Sequence, residues 1–166
     1  MTPIRLRWAA ALVLLLTSAC GSSGSSAPRL APDLNLPDVN GRPASLSDHK
    51  GKVVLLDFWS TTCETCLHEL PMLNEVQERL APKGFTVLAV CVDALTPDAV
   101  RAFAKEHGMS YPVLASGGRT LPGYSLYGLP QAFLVGRDGF IKKQYMGPKL
   151  RDEVVADAEK ALKSAH

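Results

Sequence analysis

The sequence predicts an α/β fold: a mixed central sheet with helices on both of its faces. Three observations carry that prediction. Two continuous apolar runs, residues 53–59 and 85–92, read as strands buried on both sides. Each is followed by a stretch whose apolar residues recur at helical spacing. Two short strand-like runs around Arg137-Asp138-Gly139 then lead into a last amphipathic stretch. Strand, helix, strand, helix, hairpin, helix is the order of a layered α/β sandwich.

The elements follow in chain order. Residues 32–36 and 42–46 flank a segment ending in Asn40-Gly41, a strong hairpin signal, so an N-terminal β-hairpin is expected. The run Val53-Val54-Leu55-Leu56-Asp57-Phe58-Trp59 is the first buried strand. A helix should start at Cys63, with Leu67, Leu70, Leu73, Val76 and Leu80 on its inner face and Pro71 kinking it. Gly84 ends that unit, and residues 85–92 form the second strand.

Thr96-Pro97-Asp98 combines a cap, a first-turn proline and a first-turn acid, which predicts a helix start. Val100, Phe103 and Ala104 mark its inner face, and Gly108 stops it. Residues 111–115 suit a short strand and residues 121–127 a short helix. Residues 132–135 and 140–145 form a hairpin. Leu150, Val154, Ala158 and Leu162 set the inner face of the final helix. No internal repeat is present.

The chain has 166 residues, a length for one domain plus extras, with 46% apolar and 20% charged residues. A core of useful size needs no disulfide staples. Formal charge is +2, and Arg5 and Arg7 precede Cys20. Beyond them, 16 of the 18 basic residues face 16 acids, so nothing argues electrostatically for a nucleic-acid partner.

The start of the chain has the order of an export signal: Arg5 and Arg7, an apolar run over residues 9–16, then Thr17-Ser18-Ala19. The apolar run is too short to span a hydrocarbon layer of ~30 Å. Thr17-Ser18-Ala19-Cys20 resembles a bacterial lipobox, in which the cysteine carries the lipid, although Thr17 stands where leucine is usual. Gly21-Ser22-Ser23-Gly24-Ser25-Ser26 then reads as a flexible tether. The expected division is a lipoprotein signal peptide over residues 1–19, a tether over 20–30 and a folded domain over 31–166. Ordinary cleavage after Ala19, leaving a soluble protein with a spare thiol, is the alternative.

The chemistry centres on Cys63 and Cys66. A Cys-x-x-Cys pair where a buried strand meets a helix is a specific arrangement. A helix N-terminus favours the reactive thiolate. Its contribution of roughly 0.3–1 kcal/mol is less than one pKa unit, about 1.36 kcal/mol, so hydrogen bonds to the sulfur must supply more. Cys63 at the tip can attack a partner disulfide, and Cys66, one turn on, can resolve the mixed disulfide. Two other readings stand beside this one. Half a zinc site would need two more ligands; His68 is near, but no second Cys-x-x-Cys exists. A structural disulfide would close only a tiny loop and stabilise little.

At these residues the sequence resembles thioredoxins, and more narrowly the exported, membrane-tethered TlpA/ResA-like branch, which includes cytochrome c maturation reductases. The resemblance spans residues 32–162. It rests on Ala31-Pro32-Asp33, Leu46-Ser47-Asp48, Gly51-Lys52-Val53-Val54-Leu55-Leu56, Asp57-Phe58-Trp59 with Cys63-Glu64-Thr65-Cys66, Pro71, Gly128-Leu129-Pro130, Phe133-Leu134-Val135 and Asp138-Gly139. It implies a thioredoxin fold, with residues 96–116 as a helix-strand insertion before the cis-proline loop. It also implies that Asp57 is the buried acid that takes a proton from the resolving cysteine. A carboxylate in an apolar strand should have a raised pKa, which suits that role.

By the same resemblance, Pro130 is cis and the backbone of Leu129 is exposed to pair with an extended substrate. Glu64 matches a Cys-Glu-x-Cys variant and modulates the pair. Thr62 and Thr65 stand where the family usually has tryptophan and proline. They remove an aromatic wall and a rigid residue, and Thr65 adds a modulating hydroxyl beside the sulfurs. Cys91, inside a buried strand, reads as inert.

The expected function is a thiol–disulfide oxidoreductase with no cofactor other than the Cys63–Cys66 disulfide and no metal. It would be tethered through lipid on Cys20 in the bacterial periplasm or cell envelope. It would reduce disulfides of exported proteins, apocytochrome c being the first partner expected, and draw electrons from a membrane donor. An oxidase or isomerase would use the same residues, since direction depends on reduction potential. A metal or haem chaperone using Cys63, Cys66 and His68, a thiol peroxidase, and a tethered docking domain with a dead site are the other classes.

Overall fold

The computed structural model describes residues 28–164. In chain order they form β1 (Asn35–Pro37), β2 (Pro43–Ser45), a 3-10 turn (Leu46–His49), β3 (Val53–Trp59), α1 (Glu64–Leu80), β4 (Phe85–Cys91), α2 (Pro97–Glu106), β5 (Val113–Ala115), β6 (Gln131–Val135), β7 (Ile141–Met146) and α3 (Arg151–Lys163). The main sheet runs β5-β4-β3-β6-β7, and β1-β2 form a separate hairpin. β3, β4 and β5 are parallel; β6 and β7 run antiparallel to the strands they border. This is the thioredoxin fold, with a hairpin extension at its start and α2 and β5 inserted before the proline loop. The expected export signal, Cys20 and the glycine-serine stretch expected to act as a tether lie outside the described residues.

Strand alternation divides the core into two layers. Val53, Leu55 and Trp59 of β3 pack with residues of α1, α2 and α3. Val54, Leu56 and Phe58 pack under β1, the 3-10 turn and the stretch holding Leu121 and Tyr124. Helices do cover both faces, but unequally: all three α-helices crowd one, and the other has a single 3-10 turn. Handedness explains this. β3–α1–β4 and β4–α2–β5 step across the sheet in one direction, and right-handed crossovers put both helices on the same side.

Three local expectations need correction. Residues 121–127 form an irregular loop rather than a helix. Gly123 adopts φ +85°, which a helix cannot continue through. A Cβ there would also collide with the Pro32 ring. The loop is held instead by burial of Leu121 and Tyr124, whose hydroxyl donates to the Pro32 carbonyl at 2.5 Å. Leu150 is not on the inner face of α3. It stands just before the helix and is 72% exposed, while Val154, Val155, Ala158 and Ala161 make the contact. Leu67 is only half-buried; Cys66 and Glu69 take buried positions on that turn of α1. The hairpin signal at Asn40-Gly41 is realised as a longer loop. Asp38 accepts from the amides of Asn40 and Arg42, and Gly41 alone takes positive φ.

One carboxylate fixes the segment that leads into α1. Asp93, just past β4, accepts from the Ser60 hydroxyl (2.6 Å), the Thr61 amide (2.8 Å) and the Thr61 hydroxyl (2.7 Å). Burial pushes its pKa up, but these hydrogen bonds outweigh burial and hold it below the ordinary value.

Replacing Asp93 by alanine should lower stability by about 2–3 kcal/mol at neutral pH. A lowered carboxylate stabilises above its unfolded pKa and loses that contribution as pH falls through the folded value. The difference from wild type in urea melts should therefore shrink as acid titrates Asp93. Gly123→Ala should cost about 2–4 kcal/mol through positive φ and overpacking against Pro32; an unchanged melting temperature would contradict this.

Candidate active site

β3 ends at Trp59, and the segment pinned by Asp93 delivers Cys63 to the start of α1. Cys63 is the N-cap residue, and its sulfur accepts the Cys66 amide at 3.2 Å. Cys63 is half-buried, whereas Cys66 is 2% exposed. The two are joined as a disulfide, with S–S 2.11 Å and Cα–Cα 5.2 Å. Cys63 is thus the partly exposed residue of the pair and Cys66 the enclosed one. The first-turn amides lie where negative charge on the outer sulfur is favoured.

Asp57 is the fifth residue of β3, flanked in register by Ala89 and Ala132. Alternation places it with Leu55 and Trp59 on the face covered by α1. It is 3% exposed. Burial raises its pKa, and the nearby Lys149 ammonium pulls the other way without cancelling the rise. Lys149 was not legible as a site residue. Its side chain has 0% exposure, and its ammonium donates to Asp57 Oδ1 at 2.9 Å and to Glu69 Oε2 at 2.7 Å. Its backbone N–H donates to Glu69 Oε1 as well. Burial pulls the lysine's pKa down, but Asp57 and Glu69 together outweigh burial and raise it. Removing an ion from water without a partner costs several kcal/mol, so these three groups depend on one another. Tyr111 is buried with no hydrogen-bond partner for its hydroxyl among the described residues. Burial, then the charges of Asp57 and Glu69, push its pKa up.

Glu69 left a faint mark in the sequence: it lies three residues after Cys66, next to Leu70, and so shares the inner face of α1. Lys149 left none, since Gly147-Pro148-Lys149 reads as an ordinary loop. Asp93 also escaped, because its partners are more than thirty residues away.

The remaining predicted residues are placed as follows. Glu64, Thr65, Thr62 and His68 are exposed on or before the first turns of α1. Among the described residues, no three His, Cys, Asp or Glu side chains converge as a metal-binding group. The Leu129–Pro130 bond is cis. Gln131 orders the preceding loop, accepting from the Tyr127 amide (3.1 Å) and donating to the Ser125 carbonyl (2.9 Å). The Pro130 carbonyl accepts from Gly147 at 2.9 Å, tying this loop to the stretch that carries Lys149. Cys91 is fully buried, and burial pushes its thiol up to about 12. A groove of about 590 Å³ lies elsewhere, lined by Leu46, Lys52 and Val54 near the start of β3, the end away from the cysteines.

Comparison with known proteins agrees with this geometry. The Redoxin family pattern matches residues 23–162. The thiol-disulfide oxidoreductase ResA of Bacillus anthracis is 34% identical over 125 residues, 75% of this chain and 72% of that protein. ResA of Bacillus subtilis (strain 168) is 36% identical over 127 residues, 76% and 68% of the two chains. The crystal structure of a thiol:disulfide interchange protein of the thioredoxin family from Chlorobium tepidum TLS superposes with TM-score 0.72 at 28% identity, covering 82% of this chain and 98% of that one. The likeness runs through both the fold and the cysteine-bearing helix start, so the chain belongs to the Redoxin family, and the reaction it catalyses is thiol–disulfide exchange at Cys63 and Cys66.

Proposed function

We propose that this chain is a membrane-tethered, extracytoplasmic reductase of disulfides in exported proteins, with apocytochrome c the first substrate to test. A membrane electron donor would return it to the dithiol form. The observation that carries the reading is the asymmetry of the pair: a partly exposed cysteine at a helix start, joined to a buried one. The likeness to ResA supports a role of the same kind. The export-like start of the chain and Cys20 support tethering outside the cytoplasm. Among the described residues no helix is long and apolar enough to cross a membrane. Anchoring is through lipid on Cys20, with residues 1–19 removed, 20–30 as tether and 31–166 as the working domain.

The reaction runs in two exchanges. The Cys63 thiolate attacks one sulfur of a substrate disulfide, forming a mixed disulfide and releasing the other sulfur as a thiolate that takes a proton from solvent. Cys66 then loses its proton to Asp57 and attacks the Cys63 sulfur. The Cys63–Cys66 bond forms, the bond to substrate breaks, and the second substrate sulfur leaves. Two electrons pass from the dithiol to the substrate. Leu129, before Pro130, offers its backbone to an extended substrate segment: its N–H and C=O take no partner among the described residues. Glu64 and Thr65, exposed beside the cysteines, modulate the pair.

Cys66→Ser expressed in the producing organism should accumulate a mixed disulfide on Cys63, and mass spectrometry of the trapped adduct identifies the substrate. Recovery of no exported protein would overturn the reading. The reduction potential of the wild-type pair should lie below about −200 mV, among reductants; a value near −120 mV would make it an oxidant instead. Cys20→Ser should move the protein from the membrane fraction to the soluble one.

A further inference from the structure

The buried cluster of Asp57, Glu69 and Lys149 contains more charge than proton transfer from Cys66 to a single acid requires. We propose that Lys149 is a positioning residue for catalysis: a permanent buried cation, held by Glu69, that lets Asp57 alternate between carboxylate and carboxylic acid as it takes and returns the Cys66 proton. This deepens the proposed mechanism and rests on its assignment of Asp57 as proton acceptor.

The geometry sets the division of labour. Lys149 has no exposed side-chain surface, so its ammonium can persist only against carboxylates. It has two, at 2.9 Å and 2.7 Å. Glu69 is the more firmly held, since it accepts from both the ammonium and the backbone amide of Lys149. Asp57 accepts from the ammonium. Before proton transfer the trio carries two negative charges and one positive. Afterwards Asp57 is neutral, and Lys149 still faces the Glu69 carboxylate. Neither state leaves the lysine unpaired.

The two partners bias Asp57 in opposite directions. Burial makes its charged form unfavourable, Lys149 favours that form, and Glu69 opposes it. Other groups on this layer are accounted for. Tyr111 approaches from the segment before β5, its hydroxyl unengaged. Tyr145, on the same row of the sheet two strands from Asp57, donates to Asp157 at 2.9 Å. The Cys91 thiol is directed to Asp93 at 3.6 Å. Lys149 is thus the cation that meets Asp57 directly, and it comes from the loop tied to Pro130.

The experiment isolates the Cys66 step. Reduced protein is mixed with 5,5′-dithiobis(2-nitrobenzoate): Cys63 bonds one half as a mixed disulfide while the other half leaves as thiolate, and the slower release of the second thiolate by Cys66 is timed against pH. Wild type should lose rate in acid as Asp57 becomes protonated. Lys149→Met should shift that acid limb upward by a pH unit or more, slowing release about tenfold at pH values below the midpoint of the wild-type limb. Glu69→Gln, close in shape and still an acceptor for Lys149, should shift it downward. Superimposable profiles for all three, or shifts of the same sign, would overturn the inference. Should Lys149→Met not fold, Glu69→Gln and the wild type decide. In the reduced wild type, the Lys149 nitrogen resonance should keep its ammonium position from pH 5 to 9, and its loss would overturn the proposal. Asp57→Asn separates the two levels. A profile like wild type removes Asp57 as acceptor, and the mechanism with it. A slowed Asp57→Asn beside an unshifted Lys149→Met removes only the role of Lys149.

Discussion

A lysine ammonium with no access to water is the constraint under which the centre of this protein is assembled. It reaches Asp57 on the central strand and Glu69 on the cysteine-bearing helix, from the loop between β7 and α3. Each contact is short, and each offsets a desolvation penalty that would otherwise fall on an isolated ion. Such a trio does little for net stability compared with an apolar packing of the same volume, but it tolerates little displacement of its parts. The strand, the cysteine-bearing helix and the loop before the last helix are therefore held in fixed relation.

The rest of the architecture brings chemistry to one end of the sheet. Parallel β3 and β4 both finish there, so Cys63 follows one strand and Asp93 follows the other. Asp93 grips Ser60 and Thr61 from the side and sets where α1 begins. The antiparallel β6 starts at the same end, bringing the cis Leu129–Pro130 bond alongside. Right-handed crossovers put α1 and α2 on one face, and α3 joins them there. The opposite face is left to the hairpin, a 3-10 turn and the 121–129 loop, which bury side chains with little regular structure.

Errors in reading the helices trace to one cause. Periodicity assigns a face to each residue but does not say where a helix ends or whether a neighbour is present to cover that face. Leu150 fits the inner spacing of α3 yet lies outside the helix, beyond the reach of the core. Residues 121–127 are apolar enough to be buried and are buried in part, but the left-handed backbone at Gly123 breaks a helix there. At α1 the period was right and the occupants surprising: Glu69 holds a core position because a lysine waits there.

The sequence by itself determined the strand runs, the starts of α1 and α2, the position of the cysteine pair at a strand-to-helix junction, and the acid six residues before it. Each is encoded locally, in apolar period, capping residues and fixed spacing. Only the tertiary structure decided that Asp57 shares a lysine with Glu69, and that Asp93 fastens the loop ahead of Cys63. Those contacts join residues 92, 80 and some thirty positions apart. A buried polar residue looks unremarkable in a sequence, because what makes burial tolerable is a partner that only the folded chain brings within hydrogen-bond reach.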